Sequence, residues 1–335
     1  MKTTKQLFLL TLLFILPMGA AGVEPSADSL RVETCQYAEK DGQPLMLDVY
    51  VAAPQRSQTS ALPPSEDKFR KPVVIFSFGG AWEFGTRKDG RNFLEDFARH
   101  GYIAVGIDYR LGIKQFKDGG GRISPETFGQ AYANAIRMGV EDLYSATTYI
   151  IGQADRWQAD TSRIVICGSS AGAINSCVAE YLLANDHPLA TAMMPQGFNY
   201  AAVISCAGGI WKEGEDDVAW KNRPCPFLAY HGTADQLVAY ADQRTGGTGA
   251  FGPAHYIPGL CELQVPCLFR SYKGVDHAIA LIYNDEDARA EMLSFLSRVL
   301  YKNEKISIIS EETYYDQAPN LKSVIESMRE MGIIE

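Results

Sequence analysis

The sequence lacks the patterns that mark several common kinds of functional site. Its 335 residues contain no C-x-x-C and no H-E-x-x-H spacing, so the usual ligand arrangements of a metal site are absent. Gly119 to Gly121 form a glycine run, but this run does not carry the Lys and the Ser or Thr of a phosphate loop. We therefore expect neither a metal nor a cofactor in this protein.

Positive charge and long apolar runs are also scarce. The formal net charge is −9, which argues against nucleic acid or an anionic membrane as the partner. The apolar run from Leu7 to Pro17 is shorter than the roughly 20 residues that cross a bilayer. It follows Lys2 and Lys5 and precedes the small residues Gly19 to Ala21, so residues 1–21 are typical of a cleaved signal peptide rather than a transmembrane anchor. We expect a periplasmic or secreted protein with no membrane span after removal of the signal.

Strand and helix patterns alternate along the rest of the chain. Apolar residues make up 46% of the sequence, which is enough for one large core. Residues 22–300 are therefore predicted to form one α/β domain, with a mostly parallel sheet of about eight strands and helices on both faces. A Ser- and Pro-rich stretch at residues 55–68 is predicted to be an exposed connection. The predicted strands lie near residues 31–37, 45–51, 72–78, 102–108, 163–168, 201–206, 226–231 and 266–272.

The most specific motif is Gly168 to Gly172, which reads G-S-S-A-G and so fits G-x-S-x-G. It follows the apolar, β-branched run from Arg163 to Cys167, which predicts a buried strand, and precedes a helical pattern from Ala173 to Leu183. The motif alone is weak, but at a strand-to-helix junction it predicts a tight turn that exposes the hydroxyl of Ser170. Ser170 is therefore the candidate nucleophile.

A serine hydroxyl needs a base to take its proton, and the sequence contains only five histidines. His277 follows the apolar run from Cys267 to Tyr272 and a short loop, and it precedes the last helical pattern. This loop between the last strand and the last helix is where a general base is expected. The other histidines, two of which have no preceding strand to aim them, are His100, His187, His231 and His255.

The third member of such a site is a carboxylate that orients the imidazole. Asp235 supplies it, five residues after the predicted strand that ends at Tyr230. The order Ser170, Asp235, His277 is the one found in α/β-hydrolases and differs from the orders in chymotrypsin and subtilisin. Asp276 is the rival carboxylate, but adjacent side chains in a loop rarely face each other.

The loop after the predicted third strand carries the resemblance to a known family. Residues 78–82 read F-G-G-A-W, which resembles the H-G-G-G-W loop of the hormone-sensitive-lipase-like and related microbial carboxylesterases. Phe78 stands in place of the His, and Ala81 in place of the third Gly. The resemblance runs from about Pro72 to about Leu300 and implies the α/β-hydrolase fold and serine carboxylesterase activity. The implied oxyanion-hole donors are the backbone N–H groups of Gly80, Ala81 and Ala171.

Together these residues predict an exported serine carboxylic-ester hydrolase that works through an acyl-enzyme. Its expected substrate is a small-molecule or carbohydrate-linked ester. A serine peptidase of the prolyl-oligopeptidase type shares the fold and the triad order, but that family usually has an aromatic residue after the nucleophile, where this chain has Ala171. A hydrolase-like binding protein without activity normally comes with a damaged triad, whereas every member is present here.

Insertions between the core strands are expected to form the pocket walls. They are rich in Trp, Met, Phe and Gly, which suits an apolar or aromatic acyl group. In the last insertion, several glycines surround Phe251 and Tyr256, which predicts a mobile flap over the acyl group, with a surface loop remote from the pocket as the alternative. The four insertions are Lys114 to Phe128, Asp186 to Tyr200, Gly208 to Arg223 and Arg244 to Leu260.

Export makes disulfide bonds possible among the seven cysteines. Cys261 and Cys267 are the best candidate pair, because they bracket a five-residue loop just before the last predicted strand.

Residues 301–335 have no counterpart in the family pattern. Four apolar side chains there, Leu321, Val324, Ile325 and Met328, fall on one face of a predicted helix. We expect this C-terminal extension to pack on the domain.

Overall fold

The structure, a computed structural model, describes residues 30–52, 70–245 and 247–313. The predicted signal peptide at residues 1–21, the connection at residues 55–68 and the helix predicted around residues 321–328 lie outside the described residues.

The described part of the chain alternates strands and helices. Its strands are β1 (Leu30–Lys40), β2 (Gln43–Ala52), β3 (Lys71–Ser77), β4 (Ile103–Ile107), β5 (Ala159–Ser169), β6 (Ala202–Cys206), β7 (Ile210–Glu213), β8 (Phe227–Gly232), β9 (Asp242–Thr245), β10 (Thr248–Phe251), β11 (Cys267–Lys273) and β12 (Ser307–Thr313). Its helices are α1 (Arg91–Arg99), α2 (Gly112–Asp118), α3 (Pro125–Gly152), α4 (Ala154–Trp157), α5 (Ala171–Ala184), α6 (Pro188–Met193), α7 (Pro253–Glu262), a 3₁₀ helix (His277–Asn284) and α8 (Glu286–Tyr301).

Nine strands form the main sheet, in the order β1-β2-β4-β3-β5-β6-β8-β11-β12. Neighbours from β4 to β12 are parallel, whereas β1 and β2 pair antiparallel at one edge. Ile75 of β3 lies opposite Val105 of β4 and Ile166 of β5, and all three side chains are fully buried. Apolar side chains along whole strands are typical of parallel sheets covered by helices on both faces. The expected fold class, a mostly parallel α/β-hydrolase sheet, is confirmed.

All eight predicted strands are present, but the sheet has a ninth that the sequence patterns did not predict. This strand, β12, pairs in parallel with β11 and lies within the predicted C-terminal extension. Its side chains alternate between exposed and half-buried, so the apolar signal of this edge strand is weak. A second, antiparallel sheet with the order β7-β10-β9 is built from the insertions after β6 and β8.

Glu180 on α5 is a completely buried carboxylic acid. Its Oε1 accepts the backbone N–H of Cys225 at 2.8 Å, while its Oε2 has no hydrogen-bond partner among the described residues. Burial raises the pKa of Glu180 to about 8, although hydrogen bonds with Cys225 act in the opposite direction. The core therefore holds a carboxyl group that keeps its proton at neutral pH.

Replacing Glu180 by Gln should stabilise the protein at about pH 8 and leave its stability unchanged at about pH 4. The unfolded chain releases this proton near pH 4.5, whereas the folded protein retains it up to about pH 8. Between these values the unfolding free energy of the wild type should fall, relative to the variant, by about 1.4 kcal/mol per pH unit. Urea unfolding across this pH range measures the effect.

Glu262 provides the control for this experiment, because it is an exposed glutamate. Glu262→Gln should keep the wild-type pH dependence. If Glu180→Gln also kept the wild-type slope, the buried carboxyl group would not be the source of the pH dependence.

Candidate functional site

Ser170 occupies the sharp turn between β5 and α5. Its φ of 50° and ψ of −118° lie in a region that residues with a side chain rarely adopt. Its backbone N–H donates to the carbonyl oxygen of Cys206, at the end of β6, with a distance of 2.8 Å. The neighbouring strand therefore anchors the strained turn, and the partly exposed side chain of Ser170 lies at the carboxyl edge of the sheet.

Gly168 and Gly172 allow this turn, because the backbone approaches too closely there for a side chain. A Cβ atom at Gly168 would lie 2.3 Å from the carbonyl carbon of Gly172. A Cβ atom at Gly172 would lie 2.1 Å from the carbonyl oxygen of Ser77, at the end of β3. Helix α5 can therefore begin against the end of β3 only because both positions are glycine.

The structure brings His277 to Ser170. His277 is the first residue of the 3₁₀ helix after β11, and its Nε2 atom lies 2.7 Å from Ser170 Oγ. The hydroxyl of Ser169 donates to the carbonyl oxygen of Ala280 at 2.8 Å, which ties the end of β5 to the same 3₁₀ helix. The contact between serine and imidazole is therefore supported by a second, buried hydrogen bond one residue away.

Asp235 lies on the other side of the imidazole, with its Oδ2 atom 2.7 Å from His277 Nδ1. Its Oδ1 atom accepts the backbone N–H groups of Leu237 and Val238 at 2.9 and 3.0 Å. Burial alone would raise the pKa of Asp235, but hydrogen bonds from His231 and His277 hold it well below its ordinary value. An ionised carboxylate thus faces the imidazole, which has the geometry of a nucleophile, a base and an orienting acid.

Asp276, the rival carboxylate, caps the 3₁₀ helix. Its Oδ1 atom accepts the backbone N–H of Ala278 at 2.9 Å.

A second histidine, His231, contacts Asp235, although the sequence patterns did not predict it as part of the site. His231 of β8 is fully buried, and its Nε2 atom lies 3.3 Å from Asp235 Oδ2 and 3.2 Å from the carbonyl oxygen of Val238. Because both neighbours are acceptors, Nε2 must carry the proton. The spacing H-x-x-x-D across the end of a predicted strand is the signal that could have indicated this contact.

The loop after β3 lies directly beside Ser170. A Cβ atom at Gly79 would lie 3.2 Å from Ser170 Cβ. Gly80 and Ala81 have φ values of 119° and 53°, which turn the chain sharply at this point. Within the described residues, the N–H groups of Gly80, Ala81 and Ala171 form no backbone hydrogen bond. These predicted oxyanion donors are therefore not used by the surrounding backbone.

Buried side chains fix both ends of this loop. The ring of Phe78 stacks on Tyr109, with 4.3 Å between centroids, and the Tyr109 hydroxyl donates to the Phe78 carbonyl oxygen at 2.8 Å. At the other end, Trp82 Nε1 donates to Asn175 Oδ1 on α5 at 2.9 Å. Phe78 thus has its own packing partner where the related esterases carry histidine.

The predicted mobile flap is wrong. Residues 242–245 and 248–251 form the paired strands β9 and β10, and Phe251 and Tyr256 are buried. The pairing of β10 with β7 places this segment in the second sheet. Phe251 and Tyr256 are therefore packing residues and do not cover a substrate.

Cys261 and Cys267 form the predicted disulfide, which joins α7 to the start of β11. Because β11 leads to His277, this bond restrains the approach to the imidazole.

The described residues contain no group of His, Cys, Asp and Glu side chains arranged to hold a metal ion. None of their helices is long and apolar enough to cross a bilayer.

The chain is similar to known esterases in sequence. The model of the carboxylesterase family matches residues 24–194. Esterase LipC of Mycobacterium tuberculosis is 29% identical over 159 residues, which cover 47% of this chain and 33% of that protein. The probable isoprenylcysteine alpha-carbonyl methylesterase ICMEL2 of Arabidopsis thaliana is 29% identical over 130 residues, which cover 38% of this chain and 26% of that protein. The chain therefore matches about a third or less of the length of these relatives.

Solved structures share the fold. The apo form of Thermogutta terrifontis esterase 2 superimposes with a TM-score of 0.54 at 18% identity, covering 82% of this chain and 96% of that one. Esterase B of Lactobacillus rhamnosis superimposes with a TM-score of 0.54 at 15% identity, covering 83% of this chain and 89% of that one. At such identities the similarity establishes the α/β-hydrolase fold.

Replacing Gly172 by Ala should destabilise the protein by about 3 kcal/mol or more, because the new methyl group overlaps the backbone of Ser77 and cannot be relieved by a side-chain rotation. Gly259 on α7 is the matched control, since a Cβ atom there meets nothing within 4 Å. Gly259→Ala should be neutral or stabilising by up to about 1 kcal/mol. Urea unfolding compares the two variants, and similar stabilities would contradict the close approach at Gly172.

Proposed function

The chain belongs to the carboxylesterase family, and we propose that it is an exported serine esterase that hydrolyses carboxylic esters through an acyl-enzyme. The observation that carries this proposal is the pair of hydrogen bonds made by His277. Its Nε2 atom lies 2.7 Å from Ser170 Oγ, and its Nδ1 atom lies 2.7 Å from Asp235 Oδ2. These distances are within the reach required of a nucleophile, a general base and an orienting acid.

In acylation, Ser170 Oγ attacks the ester carbonyl carbon while His277 Nε2 takes the hydroxyl proton. The carbonyl oxygen becomes an oxyanion, and the N–H groups of Gly80, Ala81 and Ala171 are the proposed donors to it. The bond to the alcohol oxygen then breaks, and the alcohol leaves with the proton held by His277. The acyl group remains as an ester of Ser170.

In deacylation, water takes the place of the alcohol. His277 removes a proton from the attacking water and returns it to Ser170 Oγ as the carboxylic acid leaves. Asp235 accepts a hydrogen bond from the Nδ1–H group of His277 throughout and stabilises the imidazolium that forms in each half-reaction. Because the pKa of Asp235 is well below its ordinary value, the carboxylate stays charged wherever His277 can act as a base.

The names of similar proteins support a small ester as the substrate, and we extend the proposal to esters linked to a carbohydrate. The two relatives named above are an esterase and a probable methylesterase. Thermogutta terrifontis esterase 2 has been solved with propionate and with butyrate bound, and after phosphorylation by paraoxon. Phosphorylation of that esterase makes an organophosphorus reagent a suitable probe for this chain.

Ser170→Ala and His277→Ala should each lower kcat by at least about 10³-fold without unfolding the protein, because triad members act as a unit. A fluorophosphonate probe should label the wild type at Ser170 and not label the Ser170→Ala variant.

Turnover is measured on a panel of substrates that contains esters of different acyl-chain lengths, acetylated and feruloylated sugars, and peptides. Wild-type turnover in either variant would contradict the mechanism. Cleavage of peptides in preference to esters would favour the peptidase, and an unlabelled wild type would favour a silent binding protein.

The same assay tests the assignment of the acid. Asp235→Asn should impair turnover severely, because an amide cannot stabilise the imidazolium as a carboxylate does. Asp276→Asn is the matched control, since asparagine also caps helices well. The reverse ranking of these two variants would transfer the acid role to Asp276.

Export is the remaining part of the proposal, supported by the charge and apolar pattern of residues 1–21 and by the disulfide between Cys261 and Cys267. Expression of the full chain in a host with a secretory pathway should yield a product that lacks about the first 21 residues. Mass spectrometry of the intact, unreduced protein measures both its N terminus and its disulfide. An uncleaved chain that remained in the cytoplasm would contradict export.

A further inference from the structure

Four aromatic side chains form a continuous surface beside the proposed active site. We call this surface, formed by Trp82, Phe128, Tyr132 and Trp211, the aromatic platform. We propose that the aromatic platform binds a flat, uncharged aromatic ring of the ester substrate. This inference rests on the proposed function and adds a substrate class to it.

The rings contact one another at distances typical of aromatic packing. Phe128 and Tyr132 on α3 lie 4.4 Å apart between centroids at an angle of 31°. Trp82 meets Tyr132 edge-on at 5.9 Å, and Trp211 lies 6.0 Å from Tyr132 and 6.5 Å from both Trp82 and Phe128. Three segments that are far apart in sequence thus contribute to one surface.

Two of the segments that carry these rings approach the turn at Ser170 and the first turn of α5. On one side, Trp82 follows Gly79 by three residues, and a Cβ atom at Gly79 would lie 3.2 Å from Ser170 Cβ. On the other side, Trp211 follows Gly208 by three residues, and a Cβ atom at Gly208 would lie 2.5 Å from Cβ of Ala173, in the first turn of α5. The two tryptophans therefore lie on segments whose backbones approach the start of α5.

The platform is fixed at its base and open at its outer edge. Trp82 is buried, and its indole N–H is held by Asn175 on α5. Tyr132 and Trp211 are partly exposed, and Phe128 is 43% exposed. The indole N–H of Trp211 is buried with no partner among the described residues, so hydrogen bonding does not explain the position of this ring.

The ion pair beside Trp82 leaves no unpaired charge at that part of the platform. Glu83 directly follows Trp82, and both of its carboxylate oxygens lie 2.7 Å from the ammonium group of Lys117. Because this carboxylate and this ammonium neutralise each other, neither is left to attract a charged substrate group. An aromatic ring gains from stacking and edge contacts with the platform, whereas a saturated ring of similar size gains only from burial.

Two pairs of esters test this preference and show whether the bound ring belongs to the acyl part or to the alcohol part of the substrate. Methyl 3-phenylpropanoate and methyl 3-cyclohexylpropanoate carry the ring in the acyl part, and benzyl acetate and cyclohexylmethyl acetate carry it in the alcohol part. In at least one pair, the wild type should cleave the aromatic member with a kcat/KM about three- to tenfold higher than the saturated one. Phe128→Leu and Trp211→Leu should each reduce that ratio towards one.

Tyr301→Leu is the matched control, since Tyr301 is 53% exposed and packs over Arg163, near the opposite end of β5 from Ser170. It should keep the wild-type ratios. Equal cleavage of the aromatic and saturated members of both pairs by the wild type would overturn the proposal.

A binding measurement separates this inference from the proposed activity. In the Ser170→Ala protein, which should leave the esters intact, titration followed by tryptophan fluorescence compares the affinities within each pair. Tighter binding of an aromatic member, lost when Phe128→Leu is added, supports the platform even if the wild type cleaves no ester. Equal affinities within both pairs would overturn the platform even if the wild type is an active esterase.

Discussion

The close approach of α5 to the end of β3 is the constraint on which the site depends. A Cβ atom at position 172 would lie 2.1 Å from the carbonyl oxygen of Ser77. Only glycine at this position therefore lets the helix begin so close to the end of β3. The chain must then turn sharply at Ser170, and the resulting strain is held by the buried sheet and by the hydrogen bond to Cys206. The same contact brings the loop after β3 beside the serine. One steric condition therefore positions both the proposed nucleophile and the proposed oxyanion donors.

The base and the acid are brought together by the register of two neighbouring strands. Ser271 of β11 lies opposite His231 of β8, so the loops that follow these strands emerge side by side. These loops are joined where Ala234 donates its N–H to the carbonyl oxygen of Val275 at 3.0 Å. The carboxylate of Asp235 thus meets an imidazole 42 residues further along the chain. His231 adds a buried donor to that carboxylate, which offsets the cost of burying its charge.

The features that sequence analysis could predict are those with local signals. Apolar runs bounded by turns predicted the eight core strands, and G-x-S-x-G at a strand-to-helix junction indicated the turn at Ser170. Features that depend on distant pairing gave no such signal. The edge strand β12 only half-buries alternate side chains, and Phe251 resembled a flap residue because its glycine-rich neighbours hide its pairing with Ile210. The contact between His231 and Asp235 is local, but it spans the turn at the end of a strand, where no periodic pattern indicates which side chains meet.

The second sheet and the turn at Ser170 are connected through the end of β6. Strand β7 begins four residues after Cys206, whose carbonyl oxygen anchors Ser170, and a Cβ atom at the intervening Gly209 would lie 2.8 Å from the carbonyl oxygen of Phe251. Trp211 is therefore held by the same strand end that holds the proposed nucleophile. Trp82 is held in the same way, through Asn175 on the helix that begins at Ala171. If the aromatic platform binds substrate as proposed, rings anchored to the same core as the proposed nucleophile would need no moving flap to orient an ester.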